Sequence, residues 1–330
     1  MKKIVISIVV PVYQAEKYIS KTIESVLQCP SELMELILVD DGSTDRSLEI
    51  CQDYVRIDKR VRIIHQENAG VCAARNAGIL HASGEYIFFL DADDMLCKTC
   101  LKELFSQAEA SRYDFIAFAY ESLFLDGRTE TELFPLQGAA STDNREIVDN
   151  ILFGTPLLYP CWGKLYRRSI LIEQGILFQQ DVSIGEDYIF VMEYLHAACT
   201  CLLINTIAVS YLQNETGAVR SLELTKRLQG LKAVWDCCLK YTQGAKQKYR
   251  TMACVQQFLT LMYSMRIHIS SKQCVQDIMA CTLMREIVSA VQGKDFSGYR
   301  KIEYFFAKHH CTELMYKYLK IKAALKNTQK

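Results

Sequence analysis

Asp91-Ala92-Asp93-Asp94 places three carboxylates within four residues. Like charges this close disfavour each other's ionised form unless a cation or hydrogen bonds compensate. Asp91 and Asp93, spaced Asp-x-Asp, can aim oxygen ligands at one Mg²⁺ or Mn²⁺ ion. A cation so held offsets charge on phosphates and on a leaving diphosphate. The alternative is an acidic helix start, where Asp interacts with the helix dipole. A second acidic pair, Asp40-Asp41, can accept hydrogen bonds from the N–H of uracil or another base. Asn68-Ala69-Gly70 and Arg75-Asn76-Ala77-Gly78 offer amides, a guanidinium and close backbone approach to a ligand. Arg75 equally suits a salt bridge to the acidic cluster, and the two roles are compatible.

The elements around these residues explain why they would meet. Ile4–Val12, Met34–Val39, Val61–His65 and Glu85–Leu90 are short apolar runs that read as buried strands. Between them, Glu16–Leu27, Asp45–Tyr54 and Gly70–His81 have helical spacing or composition, with Ser43 or Thr44 as the cap of the second helix. This alternation predicts an α/β, Rossmann-like, mostly parallel sheet flanked by helices. Ligands of such sheets sit at the carboxyl ends of the strands, which is where the polar clusters fall. Phe115–Tyr120 reads as a further strand, followed by a polar excursion near Asp126–Gly138. From Leu222 onward four helices are expected: Lys226–Lys240, Tyr249–Ile269, Val275–Val291 and Lys301–Lys322.

Four ordered segments then carry a family resemblance. They are Pro11 to Ile19, Val39 to Asp45, Asn68 to Gly78, and Gly84 to Asp94. Together they resemble glycosyltransferase family 2, inverting enzymes of the GT-A fold. A weaker likeness to bacterial capsule and exopolysaccharide members continues through Cys161-Trp162-Gly163-Lys164-Leu165-Tyr166 and Gly185-Glu186-Asp187-Tyr188. The resemblance implies a nucleotide-sugar site built by Pro11, Val12, Tyr13, Glu16, Asp40, Asp41, Asn68, Gly70, Arg75, Asp91, Ala92 and Asp93. It implies a divalent cation, Mn²⁺ or Mg²⁺, on Asp91 and Asp93, and an acceptor side that includes Trp162 and Lys164. It implies Asp187 as catalytic base. An inverting transfer needs one carboxylate to take the proton of the acceptor hydroxyl. The adjacent Glu186 raises proton affinity in the pair and supports the base or meets the acceptor. Without the family, Glu186-Asp187 reads as the charged start of a helix and Trp162 as a core residue. No late His is present in Tyr211–Gly217 to add a metal ligand, so modest metal affinity is expected, with Thr216 and Gly217 as a loop over the diphosphate.

The bulk numbers fit this division of labour. In 330 residues, half hydrophobic, there is room for a large core and a second module. Residues 1–219 hold 18 Lys and Arg against 31 Asp and Glu, while residues 220–330 hold 20 against 7. The expected organisation is a GT-A catalytic domain over 1–219, with a nucleotide-binding half (1–113) and an acceptor-binding half (114–219), then a basic helical region over 220–330. The apolar stripe of Tyr249–Ile269 packs on the catalytic domain or on a second copy. Alternatively the basic helices rest on an anionic membrane, with Tyr316–Lys330 as the contact. The run Ile4–Val10 is too short for a signal or membrane span, so a cytoplasmic protein is expected, peripheral at the inner face of the plasma membrane if the helices bind lipid. The 14 cysteines are then reduced and mostly buried, and Cys97-x-x-Cys100 lacks the second pair that a zinc site needs. The expected partners are a nucleotide sugar and a glycan or lipid-linked acceptor, with no nucleic acid. A nucleotidyltransferase is disfavoured because no Gly-rich phosphate loop stands at Pro11–Lys17. An idle glycan- or nucleotide-binding subunit would not need Asp91, Asp93 and Asp187 together.

Overall fold

The computed structural model describes residues 3–29, 31–110, 112–134, 138–141, 158–213, 223–243, 247–269 and 271–327. The chain divides into two compact units, Met1–Asp181 with Glu186–Glu215, and Val182–Gly185 with Thr216–Lys330.

The first unit is built on a sheet whose opening strands are β1 (Ile6–Val12), β2 (Met34–Asp41), β3 (Val61–Gln66) and β4 (Tyr86–Phe89), in the order β3-β2-β1-β4. All three pairings among them are parallel. Every residue of β1, β2 and β4 is buried, as expected of parallel strands covered on both faces. The crossovers are α1 (Ile19–Leu27), α2 (Ser47–Ile57) and α3 (Val71–His81). Helix α1 buries Ile19, Ile23 and Val26 on one face, and each such side chain contributes about 1.5–3 kcal/mol. Helix α3 lies close on β1: a Cβ on Gly78 would stand 2.2 Å from Val9 Cγ1, so only glycine permits this approach. Helix α2 starts two residues later than expected and has no cap from Ser43 or Thr44; Asp45 accepts instead from the Ser47 amide at 3.0 Å.

The sheet continues through β5 (Met95–Leu96), β6 (Phe115–Phe124), β7 (Thr129–Glu132), β8 (Gly138–Ser141), β9 (Lys164–Arg167) and β10 (Thr200–Gln213). Here the direction changes. Strand β9 inserts antiparallel between β4 and β6, and β10 runs parallel to β6 but antiparallel to β5 and β8. The sheet is therefore parallel where helices connect β1 to β4 and mixed beyond them. Helices α4 (Leu101–Ala110), α5 (Arg168–Glu173) and α6 (Glu186–Ala197) complete the unit. Asp91–Asp94 leads into β5, not into a helix, which removes the helix-cap reading of that segment.

The second unit is helical: α7 (Leu224–Tyr241), α8 (Gln247–Ile267), α9 (Lys272–Ala280), α10 (Thr282–Ala290), α11 (Arg300–Lys308) and α12 (Thr312–Asn327). Two helices expected to be continuous are broken. Cys281 is extended between α9 and α10, and His310 takes a left-handed φ of 52° between α11 and α12. Neither break carries the proline or glycine that would announce it. The α8 stripe turns inward within its own unit, with Phe258, Leu261, Met262 and Met265 in a core shared with Val275, Ile287 and Met315. Among the described residues, no helix is long and apolar enough to cross a membrane.

Candidate active site

The carboxyl ends of β1 and β2 form one side of the site. Pro11 and Val12 are buried at the end of β1, and Tyr13, just past it, is 53 % exposed. Gln14 follows with a left-handed φ of 50° and joins the two turns. Its Oε1 accepts from the Thr44 and Asp45 amides at 3.2 and 3.1 Å, and its Nε2 donates to Thr44 Oγ1 at 2.8 Å. Glu16 Oε2 accepts from the Arg46 amide at 3.1 Å, so its carboxylate fastens the start of α2. Asp40 is fully buried; its Oδ2 lies 2.7 Å from His65 Nδ1, and its Oδ1 has no partner among the described residues. Asp41 is engaged on both oxygens, by Gln66 Nε2 at 2.7 Å, the Ala69 amide at 2.9 Å and the Gly70 amide at 2.8 Å. It therefore shapes the 68–70 turn, leaving Asn68 exposed at the rim. Gly42 permits that closure: its φ is 71°, and a Cβ there would stand 2.8 Å from the Asn68 amide nitrogen.

The acidic turn after β4 is held from two directions. Thr22 Oγ1 on α1 donates to the Ala92 carbonyl at 2.8 Å, and the Leu212 amide on β10 donates to Asp94 Oδ1 at 2.9 Å. Asp91 and Asp93 are half-buried and Asp94 is wholly buried. Asp94 Oδ2 has no partner among the described residues. Burial, with the charges of Asp91 and Asp93 beside it, holds the Asp94 carboxyl well above the usual carboxylate range. The turn thus gathers three carboxyl groups closely enough that the buried one resists ionisation.

Arg75, on α3 and 4 % exposed, links this turn to the start of α6. Its Nη2 donates to Asp91 Oδ1 at 2.9 Å, and its Nη1 donates to Asp187 Oδ1 at 2.7 Å. Glu186 Oε1 lies 3.8 Å from the same Nη1. The Arg75 guanidinium also lies 5.2 Å from the centroid of the Phe178 ring, whose backbone is clamped by Asn76 through bonds of 2.9 and 2.8 Å. Asp187 Oδ2 accepts from the Cys161 amide at 3.1 Å, which fixes the carboxylate from its other side. Burial and the Asp187 charge push the Glu186 carboxyl up to about 7. The two adjacent acids thus differ in setting: Asp187 is ion-paired and oriented on both oxygens, and Glu186 is raised towards neutrality.

Two residues expected on the acceptor side lie inside the protein. Trp162 is 6 % exposed and stacks on Tyr211 at 5.2 Å between centroids, so that ring face is covered. Lys164 is 1 % exposed with Nζ on the Trp162 carbonyl at 3.0 Å; burial pushes its ammonium down to about 7. Both brace the turn that carries the Cys161 amide. Cys97 and Cys100 are free thiols with separate partners, Ser210 Oγ at 3.2 Å and the Ala208 carbonyl at 3.7 Å. Thr216 and Gly217 lie outside the described residues. Sequence reasoning missed Cys161 and Phe178 as parts of the site, because their contributions run through a backbone amide and a ring face; it offered Asn76 as a ligand-facing amide, whereas its side chain clamps the Phe178 backbone.

A parallel α/β half, a mixed second half and an acidic turn facing a carboxylate pair across one arginine define the GT-A class of nucleotide-sugar-binding folds. The chain belongs to glycosyl transferase family 2, whose model matches residues 7–175, about half of the chain. It is 35 % identical over 184 residues to the uncharacterized glycosyltransferase EpsJ of Bacillus subtilis, covering 55 % of this chain and 53 % of that protein. It is 43 % identical over 116 residues to the glycosyltransferase GlyG of Streptococcus pneumoniae, covering 35 % of this chain and 38 % of that one. The chain spans about half the length, or less, of these curated relatives. Among solved structures, S. aureus TarS 1–349 in complex with UDP-GlcNAc superposes with a TM-score of 0.68 at 18 % identity, covering 94 % of this chain and 89 % of that one, a likeness of fold.

Proposed function

We propose that this chain transfers a sugar, with inversion, from a uridine-type nucleotide sugar to a hydroxyl of a glycan or lipid-linked oligosaccharide in the synthesis of a cell-surface polysaccharide. One observation carries this reading: Arg75 ties the acidic turn after β4 to Asp187, so a diphosphate site and a base stand on either side of one buried cation.

The carboxyl-rich turn fits a divalent ion. Asp91 and Asp93 would hold Mn²⁺ or Mg²⁺ through two carboxylates, and such ions commonly complete their shell with substrate phosphates and water. Two protein carboxylates would leave the remaining positions of the ion to nucleotide phosphates and water. When bound, the cation would neutralise charge on the leaving diphosphate. Tyr13 offers an exposed ring for the nucleobase at the end of β1, and the buried Asp40 lies directly across β1–β2 from Val12. Asp187 takes the proton of the attacking hydroxyl. Arg75 and the Cys161 amide each occupy one of its oxygens, and each carboxylate oxygen has a second lone pair for that proton. Glu186, poised near neutrality, meets the acceptor beside it.

The test is incubation with a panel of UDP-sugars and Mn²⁺, followed by mass spectrometry. Sugar transfer, or slow hydrolysis of one donor, supports the reading. Pyrophosphate-dependent exchange without transfer would replace it with a nucleotidyltransferase.

A further inference from the structure

The helical unit contains a cavity that the catalytic reading does not use. Its volume is about 430 Å³, within the roughly 300–1,000 Å³ of small-ligand sites. Tyr263, Ile267, Ile269 and Leu319 give it apolar walls, and Arg266, Lys322 and Tyr299 stand at one side. The charge there is unusual. Glu303 is fully buried, and both cations converge on its Oε1, Arg266 Nη2 at 2.7 Å and Lys322 Nζ at 3.4 Å. Two cations against one carboxylate leave a net positive charge on the cavity wall. Arg266 and Lys322 are each about one-third exposed, so that charge reaches the opening. Arg266 Nε has no partner among the described residues. The Lys322 ammonium also lies 3.1 Å from the centroid of the Tyr299 ring. Tyr299 registers the same field: its bond with Arg300, then the Lys322 charge, lowers its phenol below the usual range.

An apolar cavity with surplus, partly exposed cations in its wall matches a molecule that is apolar at one end and anionic at the other. We propose that this cavity binds a lipid phosphate, with the phosphate on Arg266 and Lys322 and the hydrocarbon chain between Tyr263, Ile267 and Leu319. A buried ion pair is costly to build unless its geometry is well satisfied, and a guanidinium sharing its carboxylate with an ammonium keeps donors for a second anion. The site stands wholly within the helical unit and is independent of what the catalytic residues do.

The probe is dodecyl phosphate below its micellar concentration, titrated calorimetrically into the full chain. Saturable 1:1 binding is expected, at least tenfold tighter than inorganic phosphate and at least tenfold tighter than dodecyltrimethylammonium. Ala323→Trp adds a bulky ring to the cavity lining while keeping every charge, and Ala323 is exposed, so folding is preserved. That variant should lose at least tenfold in dodecyl phosphate affinity with an unchanged thermal midpoint. Lys322→Gln should narrow the preference for the anionic over the cationic amphiphile. Phosphatidylcholine vesicles with and without phosphatidic acid then separate the sources. Capture by the acidic vesicles that Ala323→Trp abolishes assigns the site to bilayer lipid, and binding of the monomer alone assigns it to a free lipid phosphate. Equal binding of the two dodecyl amphiphiles, or undiminished binding by Ala323→Trp, overturns the proposal.

Discussion

Two acidic turns follow β2 and β4, the strands on either side of β1 in the parallel part of the sheet, and the protein treats them differently. At the end of β2, Asp40 and Asp41 meet a ring nitrogen, a side-chain amide and three backbone amides. At the end of β4, Asp91 and Asp94 meet one guanidinium and one backbone amide, with Asp93 adding charge between them. The first turn uses its carboxylates to hold a loop in shape. The second accumulates charge, and its buried member resists ionisation. Carboxylates that close a loop through backbone amides build a site, whereas three carboxyl groups crowded into one turn raise each other's proton affinity and suit a cation.

The contrast turns on Arg75, whose guanidinium is bonded to both Asp91 and Asp187. Arg75→Met should have the largest effect. Breaking a buried ion pair typically costs about 3–5 kcal/mol, and here it frees carboxylates on two elements. A fall in thermal midpoint together with loss of transfer is expected; a variant as stable as the parent would contradict the role given to this arginine. Asp187→Asn comes next. Transfer should fall by about 10²–10⁴ as general-base catalysis is lost, while UDP affinity stays within about twofold. Lost UDP binding in a calorimetric titration would place Asp187 in the nucleotide site instead.

Glu186 extends the carboxyl-crowded side and makes it sensitive to pH. Its folded carboxyl is raised to about 7, so the unfolded chain ionises at lower pH than the folded one. Stability from this group is present below the ordinary Glu range and is lost as pH rises towards and through 7, by an amount on the order of 2 kcal/mol. Glu186→Gln should flatten that part of the midpoint-against-pH curve, and an unchanged slope would assign it elsewhere. The smallest effects give the sharpest comparison. Asp41→Asn takes a charged acceptor from the Gln66, Ala69 and Gly70 donors and should cost about 1–3 kcal/mol. Asp94→Asn replaces a carboxyl that already favours its neutral form and should leave stability within about 1 kcal/mol. Equal costs in urea unfolding would erase the distinction between the two turns.

Much of this arrangement was legible in the sequence, for reasons that differ by residue. Parallel strands buried on both faces read as unbroken apolar runs, so β1, β2 and β4 were visible, and their polar ends followed. The antiparallel insertion of β9 was not, since Lys164-Leu165-Tyr166-Arg167 gives no periodic signal for strand direction and pairs with residues far away in the chain. The burial of Lys164 and Trp162 was hidden for a related reason: the family resemblance put both on the acceptor side, residue type left Trp162 equally a core residue, and only the tertiary fold covers them. The helix breaks at Cys281 and His310 use residues that ordinarily continue a helix. The bond from the Cys161 amide to Asp187 is a backbone contact, which no side-chain pattern announces.

The account rests on the acidic turn after β4 acting as the cation site for a nucleoside diphosphate. The most direct measurement is a calorimetric titration of UDP with Mn²⁺ or with chelator, on the parent chain and on Asp91→Asn with Asp93→Asn. UDP should bind at least tenfold more tightly with Mn²⁺, Mn²⁺ alone should bind weakly, and the double variant should lose the metal-dependent gain. UDP affinity that is the same with chelator as with Mn²⁺ in the parent chain would contradict it.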